Sequence, residues 1–307
     1  MAKDFIISIY REYLYHRNKL LCKINPKLAA NIVYKKVFGR NINWENPKNL
    51  IEKIAWMQLH CDTSQWTRCA DKYRVREYIK EKGCEETLVK LYGMWENPDD
   101  IDFDSLPNEF VLKGNNGWAT VMLVKDKTKL NIEKTKKMLK NWIKRPFGHA
   151  AAQLHYLGIK RCIIAEELLH QSEELNQISK DSMVDFKIWC INGEPLSILV
   201  TFNRGKFKLN RELFDINWNN ISQQNLKGYK AEKSYPNFPR PASLDKMLEY
   251  ARILSKDFPE VRVDFYEIDN KPKFGELTFS TGYGSFTPEY YEYLGSKIDL
   301  SRIKRIK

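Results

Sequence analysis

No run of 18 apolar residues occurs in this 307-residue chain, so none of it reads as a membrane span. Nor is a secretory leader expected. Phe5–Ile9 is only a short apolar patch, and Arg11, His16, Arg17 and Lys19 break up the residues after it. The six cysteines, at positions 22, 61, 69, 84, 162 and 190, form no CxxC and keep no regular spacing. That pattern suits reduced thiols in a cytoplasmic protein rather than a disulfide framework. The five histidines do not stand beside cysteines at zinc-site spacing. There is no GxxxxGK[ST] loop and no GxGxxG opening a helix after a strand, which disfavours P-loop and dinucleotide-binding chemistry. HRD, DFG and GxSxG are likewise missing, so neither a protein kinase nor a hydrolase elbow is expected. Asp99-Asp100-Ile101-Asp102 offers the acids of a metal-dependent glycosyltransferase. It comes after no apolar strand and sits in a polar, Pro-containing connection, and so reads as a solvated loop.

The residues that are present make a basic and foldable chain. The formal net charge is +12 and hydrophobic residues make up 43% of the chain, enough to bury a substantial core in one multi-lobed unit. The basic residues are spread through Lys125–Lys144, Arg204–Lys208 and Lys297–Lys307. Such a field attracts polyanions without saying which.

The most informative stretch is Val261-Arg262-Val263-Asp264-Phe265-Tyr266 with Phe274-Gly275-Glu276-Leu277-Thr278. Its strict alternation predicts two antiparallel strands joined by a loop at Glu267–Pro272. Arg262, Asp264, Glu276 and Thr278 then share one face, and Val261, Val263, Phe265, Gly275 and Leu277 the other. Two carboxylates and an arginine converging on a sheet face are poor core material. They suit a divalent metal and a phosphoryl group, or else an exposed polar face with a salt bridge. Upstream, Phe110-Val111-Leu112-Lys113 reads as an apolar strand running into Gly114-Asn115-Asn116-Gly117-Trp118-Ala119-Thr120 and then Val121-Met122-Leu123-Val124. Such a loop can lay N–H groups over a polyphosphate while Lys113 supplies charge, or it can be a plain hairpin turn. Asp71 is expected to cap a helix from Lys72 to Lys82 that ends at Gly83. Lys72 in its first turn would oppose the helix dipole.

In this order, these pieces resemble the ATP-grasp ligases, from about Asp71 to about Gly295. The resemblance implies an α+β, ATP-grasp fold, in which two α+β lobes clasp ATP beside a helical N-terminal region. It makes Lys72 and Lys113 phosphate-binding lysines and the loop Gly114, Asn115, Asn116 and Gly117 a mobile flap. Cys162–Leu169 becomes the strand that clasps adenine, with Glu166, Glu167 and Leu169 at the base. Asp264 and Glu276 match the magnesium-holding acids, and Arg262 the arginine that contacts the transferred phosphate. Thr278 stands where the family commonly has Asn, a shorter-reaching oxygen for a second metal ion. Longer strings, Ala70–Tyr78, Leu106–Lys113, Asp185-Phe186-Lys187, Phe214–Trp218 and Phe274–Phe279, resemble the TupA-like branch, whose members sit among surface-polysaccharide genes. This implies ATP and Mg2+ as cofactors, an acidic sugar or polysaccharide as one substrate and an amine or amino acid as the other. The alternatives are a glycosyltransferase of surface-polysaccharide synthesis and a non-catalytic binder of acidic glycan or nucleic acid. For the ligase reading no nucleic acid is expected as partner.

The chain divides accordingly. Residues 1–104 are expected to be mainly helical, 105–170 to form the nucleotide lobe, 171–295 the metal lobe, and 296–307 a basic tail. A Lys-rich helix is predicted over Asn131–Lys144, a hairpin turning at Asn192-Gly193, an irregular stretch from Phe214 to Pro241, and a helix from Ser243 to Phe258. Lys187, Arg204 and Lys206 are candidate substrate contacts. Lys208 and Arg211 extend their basic cluster, and Trp218, Tyr229 and Tyr235 are offered as stacking surfaces for sugar rings. The basic N-terminal helices should pack on the back of the domain, with contact at the inner membrane face as the alternative.

Overall fold

The computed structural model describes residues 2–205, 209–281 and 283–306. Two antiparallel sheets carry the architecture. Strands β1 (Leu91–Trp95), β2 (Phe110–Gly114), β3 (Val121–Val124) and β4 (Ile163–Glu166) form the smaller, in the order β1-β4-β2-β3. The larger contains β5 (Asp185–Ile191), β6 (Glu194–Phe202), β7 (Asn210–Asp215), β8 (Glu260–Ile268) and β9 (Lys271–Thr278), in the order β7-β6-β5-β8-β9. β1 lies in the region expected to be helical. It pairs with β4, so the small sheet recruits its first strand from before residue 104.

The small sheet buries one face. Phe110, Leu112, Ile163 and Ala165 pack with Leu139 of the helix Ile132–Lys144. The helix expected from Asn131 begins one residue later, with Asn131 as its cap, the side chain accepting the Lys134 N–H at 2.9 Å. On the large sheet, the helix Leu244–Ser255 lays Leu244, Met247, Leu248, Ala251 and Leu254 into the core. The hairpin turns at Asn192-Gly193, both with positive φ, as a tight two-residue connection requires. β7 falls partly in the stretch read as irregular. Residues 215–235 then fold back along it, with Asp215 and Ile221 N–H groups bonded to Asn219 and Leu213 carbonyls.

The β8–β9 pair departs from strict alternation at one point. Arg262 faces Thr278 and Asp264 faces Glu276, but Phe265 faces Phe274, leaving Gly275 as an extra residue. The bulge lets Phe274 join the apolar face while Glu276 stays on the polar one. A Cβ on Gly275 would meet the Asp264 carbonyl oxygen at 3.0 Å, a close backbone approach that favours glycine. The loop expected at Glu267–Pro272 shrinks to Asp269-Asn270, both with positive φ, because the strands run on to Ile268 and from Lys271.

Three helices, Ala2–Ile24, Pro26–Phe38 and Leu50–His60, lead into the sheets. Asn49 and Glu52 make a reciprocal capping box at the start of the third. The C-terminal segment returns to this helix: the Ile306 N–H donates to the His60 carbonyl at 2.8 Å. Among the described residues no helix is long and apolar enough to cross a membrane.

Candidate active site

A cleft opens between the two sheets. Lys113 and Glu166 line it from the small sheet, Phe274 and Gly275 from the large one, and Lys72, Val75 and Arg76 from the segment that leads into the helix Val75–Glu81. Lys113 donates to Glu166 Oε2 at 2.7 Å, and Arg76 donates to Glu166 Oε1 at 3.1 Å. One buried carboxylate thus holds two cations, a charge-assisted arrangement that fixes both side chains. Arg76 also donates to the Val89 carbonyl at 2.7 Å. Nothing in local sequence singles out Arg76 or Val89 as cleft residues, while Gly275 carries a signal as a glycine in an otherwise alternating strand.

The helix expected from Lys72 starts later. Asp71 Oδ1 accepts the N–H groups of Tyr73 (2.9 Å) and Arg74 (3.2 Å), while Oδ2 accepts from the Arg74 guanidinium at 2.6 Å. These bonds shape a turn, and the α-helix begins at Val75. Lys72 therefore sits ahead of the helix, and its own N–H donates to the Asn115 carbonyl at 3.1 Å. Its ammonium donates to the Gly117 carbonyl at 2.6 Å and stands 3.8 Å from Glu276 Oε2. Burial pushes Lys72 below the usual lysine range, with Glu276 opposing that shift.

The Gly loop divides into a fixed root and a protruding tip. Asn115 is fully buried. Its amide donates to Asp71 Oδ1 and the Lys160 carbonyl, both at 2.9 Å, and accepts the Cys162 N–H at 2.8 Å. Its backbone N–H is taken by the Cys162 carbonyl. Read from sequence as a nucleotide contact, Asn115 instead ties three segments together, because a buried amide must satisfy itself internally. Asn116 donates to the Tyr156 carbonyl at 3.3 Å. Gly117 has φ +79°, and a Cβ there would meet the Phe147 ring at 2.7 Å. The next residue, Trp118, is 76% exposed. Beyond β4, Glu167 is exposed and its N–H donates to the Lys90 carbonyl at 2.9 Å, while Leu169 is half-buried.

On the polar face of the large sheet, Asp264 accepts from Arg262 Nε at 2.6 Å and Nη2 at 2.7 Å, and from Lys187 Nζ at 2.6 Å. Arg262 also reaches Glu276 Oε1 (3.1 Å) and Thr278 Oγ1 (3.0 Å), and the threonine hydroxyl donates to Glu276 Oε1 at 3.0 Å. Burial works against both charges of the Arg262–Asp264 pair. The attraction between them outweighs it, so Asp264 is held below the usual carboxyl range and Arg262 is raised. Asp185 lies 2.5 Å from Lys187 and 3.3 Å from Arg204, yet burial dominates and raises its pKa. Lys187, expected to meet substrate, is instead buried between Asp185 and Asp264, since an ammonium at that depth needs carboxylate partners. Arg204 is the more exposed member. Lys206 and Lys208 lie outside the described residues.

The aromatic residues of the 214–235 stretch are largely engaged. Trp218 stacks on Phe214 at 4.1 Å and donates from Nε1 to the Phe238 carbonyl at 3.1 Å. Tyr229 donates to the buried Glu212 at 2.8 Å. Tyr235 keeps its ring 44% exposed. Trp218 and Tyr229 are therefore structural pins more than free sugar platforms, because each polar end already has a protein partner.

The donor set fits a hard divalent cation. Asp264, Glu276 and Thr278 supply two carboxylates and a hydroxyl on one face, and magnesium is usually held by one or two carboxylates, with water and phosphate oxygens completing the shell. Glu276 is the more open acid, its side chain 37% exposed against 2% for Asp264.

Comparison with known proteins supplies a family. The family described as "TupA-like ATPgrasp" matches residues 52–299. No curated protein matches the sequence. Among solved structures, a D-alanine–D-alanine ligase from Bacillus anthracis complexed with ATP aligns at 14% identity, over 78% of this chain and 67% of that one, with a TM-score of 0.46. N5-carboxyaminoimidazole ribonucleotide synthetase in its ADP complex aligns at 11% identity, over 72% of this chain and 48% of that one, with a TM-score of 0.45. An L-amino acid ligase from Bacillus licheniformis aligns at 16% identity, over 72% of this chain and 43% of that one, with a TM-score of 0.42. The chain thus spans about half the length of the synthetase. The family match covers both sheets and every cleft residue named above, and on that ground the chain, with its α+β ATP-grasp fold, belongs to the TupA-like ATP-grasp family.

Proposed function

We propose that the protein is an ATP- and Mg2+-dependent carboxylate–amine ligase, joining an amino acid or other amine to a sugar acid of a cell-surface polysaccharide. The observation that carries this reading is the meeting of Lys72 and Glu276 across the cleft, 3.8 Å apart. It sets a cation of the turn ahead of the helix Val75–Glu81 beside an acid of the large sheet's polar face. Lys72 and Lys113 neutralise nucleotide phosphates. Bound magnesium, held by Asp264 and Glu276, lowers the charge repulsion that a nucleophile meets at the terminal phosphate. Arg262, fixed by Asp264 and Thr278, faces the phosphoryl group in transfer. The substrate carboxylate attacks the γ-phosphorus, the bond to ADP breaks, and an acyl phosphate results. The amine then attacks the acyl carbon, phosphate leaves, and the nitrogen loses its proton to solvent. No side chain forms a covalent bond in either step.

The N-terminal helix supports peripheral contact with a membrane. Tyr10, Tyr13, Leu20 and Ile24 are all exposed, and their spacing of three, seven and four residues puts them on one stripe. Arg17, Lys19 and Lys23 are exposed on the same helix, an arrangement suited to an anionic lipid surface. Co-sedimentation with anionic vesicles that survives in Leu20→Glu/Ile24→Glu would argue against that contact.

The decisive experiment incubates the protein with ATP, Mg2+, candidate sugar acids and amines. ADP, phosphate and an amide appearing together support the ligase. Release of UDP from a sugar nucleotide moves the protein to the glycosyltransferases.

A further inference from the structure

A second concave site lies at the edge of the large sheet, and nothing in the ligase chemistry uses it. Arg211 of β7, with Lys227, Gly228, Tyr229 and Lys230 of the returning segment, lines an open groove of ≈ 190 Å³. Lys227 and Lys230 are exposed and Arg211 is half-buried. The cations named above on the sheet's polar face are all paired: Lys187 with Asp185 and Asp264, Arg262 with Asp264 and Glu276, Arg204 with Asp185. Among the described residues, Arg211, Lys227 and Lys230 have no carboxylate within ion-pair distance. Glu212, next in sequence to Arg211, cannot neutralise them. It is wholly buried and already accepts from Asn220, Ser222, Tyr229 and the Tyr235 N–H. Three uncompensated cations held around one concavity form a preset positive field.

The register ties this groove to the reacting centre. Arg211 pairs with Thr201, and Thr201 with Asp185. Directly paired residues point to the same side of a sheet, so Arg211 shares the face of Asp185, Lys187 and Asp264. Two strand spacings put it roughly 10 Å from Asp185. The backbone is fixed as well: Lys227 N–H bonds to the Ser285 carbonyl, and Leu226 bridges to Phe286.

We propose that this groove binds a phosphate or diphosphate group of the substrate, so that the protein acts on a phosphorylated, carrier-linked sugar rather than on a free sugar acid. This rests on the ligase reading only for what happens at the other end of that substrate. A fork-shaped guanidinium with two ammonium groups matches the several oxygens and multiple charge of a phosphate ester or diphosphate. A single carboxylate carries too little charge for three cations.

The test measures binding of inorganic pyrophosphate by calorimetry to the full chain, to Lys113→Ala, and to the triple variant Arg211→Gln/Lys227→Gln/Lys230→Gln. Binding of a non-hydrolysable ATP analogue is measured in parallel, and circular dichroism checks that each variant is folded. The groove site predicts a pyrophosphate affinity that survives in Lys113→Ala and falls at least tenfold in the triple variant, with analogue affinity unchanged within twofold. Pyrophosphate binding that is intact in the triple variant, or lost only in Lys113→Ala, overturns the proposal. Failure of the analogue to bind any form sinks the ligase reading instead and leaves the groove to be judged on the pyrophosphate data. Tighter binding of a nucleoside diphosphate than of pyrophosphate supports the site and points to a nucleotide carrier. Tighter binding of an isoprenyl diphosphate supports it and points to a lipid carrier.

Discussion

The Lys72 ammonium donates to the Gly117 carbonyl at 2.6 Å. The lysine proposed to meet phosphate therefore holds down the tip of the loop proposed to cover it, and a phosphate that takes the lysine releases the loop. Replacing Lys72 by Met should speed amide hydrogen exchange over residues 116–119 by tenfold or more, a loss of about 1.4 kcal/mol of local protection. Exchange in β2 and β4 should not change. Equal exchange in both proteins would mean that the loop is held by other contacts.

Asp264 and Glu276 look alike in sequence but should respond differently to substitution. Two acids on one face would by themselves repel, and neutralising either would cost the fold little. In the structure Arg262 stands between them, and Asp264 is the carboxylate that Arg262 and Lys187 share, each having one further acid, Glu276 and Asp185 respectively. Asp264→Asn takes the shared carboxylate from two buried cations and leaves each with a single acid, and should lower stability in urea by about 3 kcal/mol. Glu276→Gln, at a more open position, should cost under about 1 kcal/mol. Both should abolish nucleotide turnover. A fully stable Asp264→Asn protein would show that the cations find other partners.

Lys113→Ala separates binding from folding. Glu166 keeps Arg76 at 3.1 Å, so the carboxylate is not stranded. Affinity for an ATP analogue should fall about tenfold, or about 1.4 kcal/mol, while the urea midpoint moves little. An unchanged affinity would reduce the Gly loop to a hairpin turn.

His155 sets a pH limit away from the chemistry. Its ring is sandwiched by Trp66, Tyr156 and Phe279, neither nitrogen has a partner among the described residues, and burial pushes its pKa down to about 3. A base with a lowered folded pKa takes up its proton on unfolding, so its contribution is full above about pH 6.5 and is lost as the pH falls toward 3. His155→Phe should flatten the stability profile in that window and change little at pH 8. Parallel profiles for the two proteins would place the acid sensitivity elsewhere.

The placement of the candidate residues is legible in sequence where the pattern is local. Alternation puts Arg262, Asp264, Glu276 and Thr278 on one face, as the strand register shows them, but alternation fits an exposed polar face with a salt bridge as well as a metal site. Gly83 and Asn192-Gly193 fulfil their punctuating roles, each with positive φ. Lys72 shows the limit. The Asp71 carboxylate resembles a helix cap, but its bonds to Tyr73, Arg74 and Asn115 make a turn, and one of those partners is 44 residues away. Arg76 and Gly275 join the cleft only through the approach of two sheets. β7 is hidden because Asn210-Arg211-Glu212 is polar, and its edge is finished by residues 219–222, a pairing with no periodic trace.

The apolar interior is divided. Phe110, Leu112, Leu139, Ile163 and their neighbours form a cluster separate from the one beneath the large sheet. The two halves meet through polar ties such as Asn115 with Asp71 and Arg76 with Glu166. Rotation of the small sheet therefore stretches hydrogen bonds without opening either apolar cluster to water. Unfolding should run along the same seam: β1–β4 can melt as a unit while β5–β9 persists, giving heat denaturation a first shoulder that a bound nucleotide, by bridging the halves, would merge into one transition.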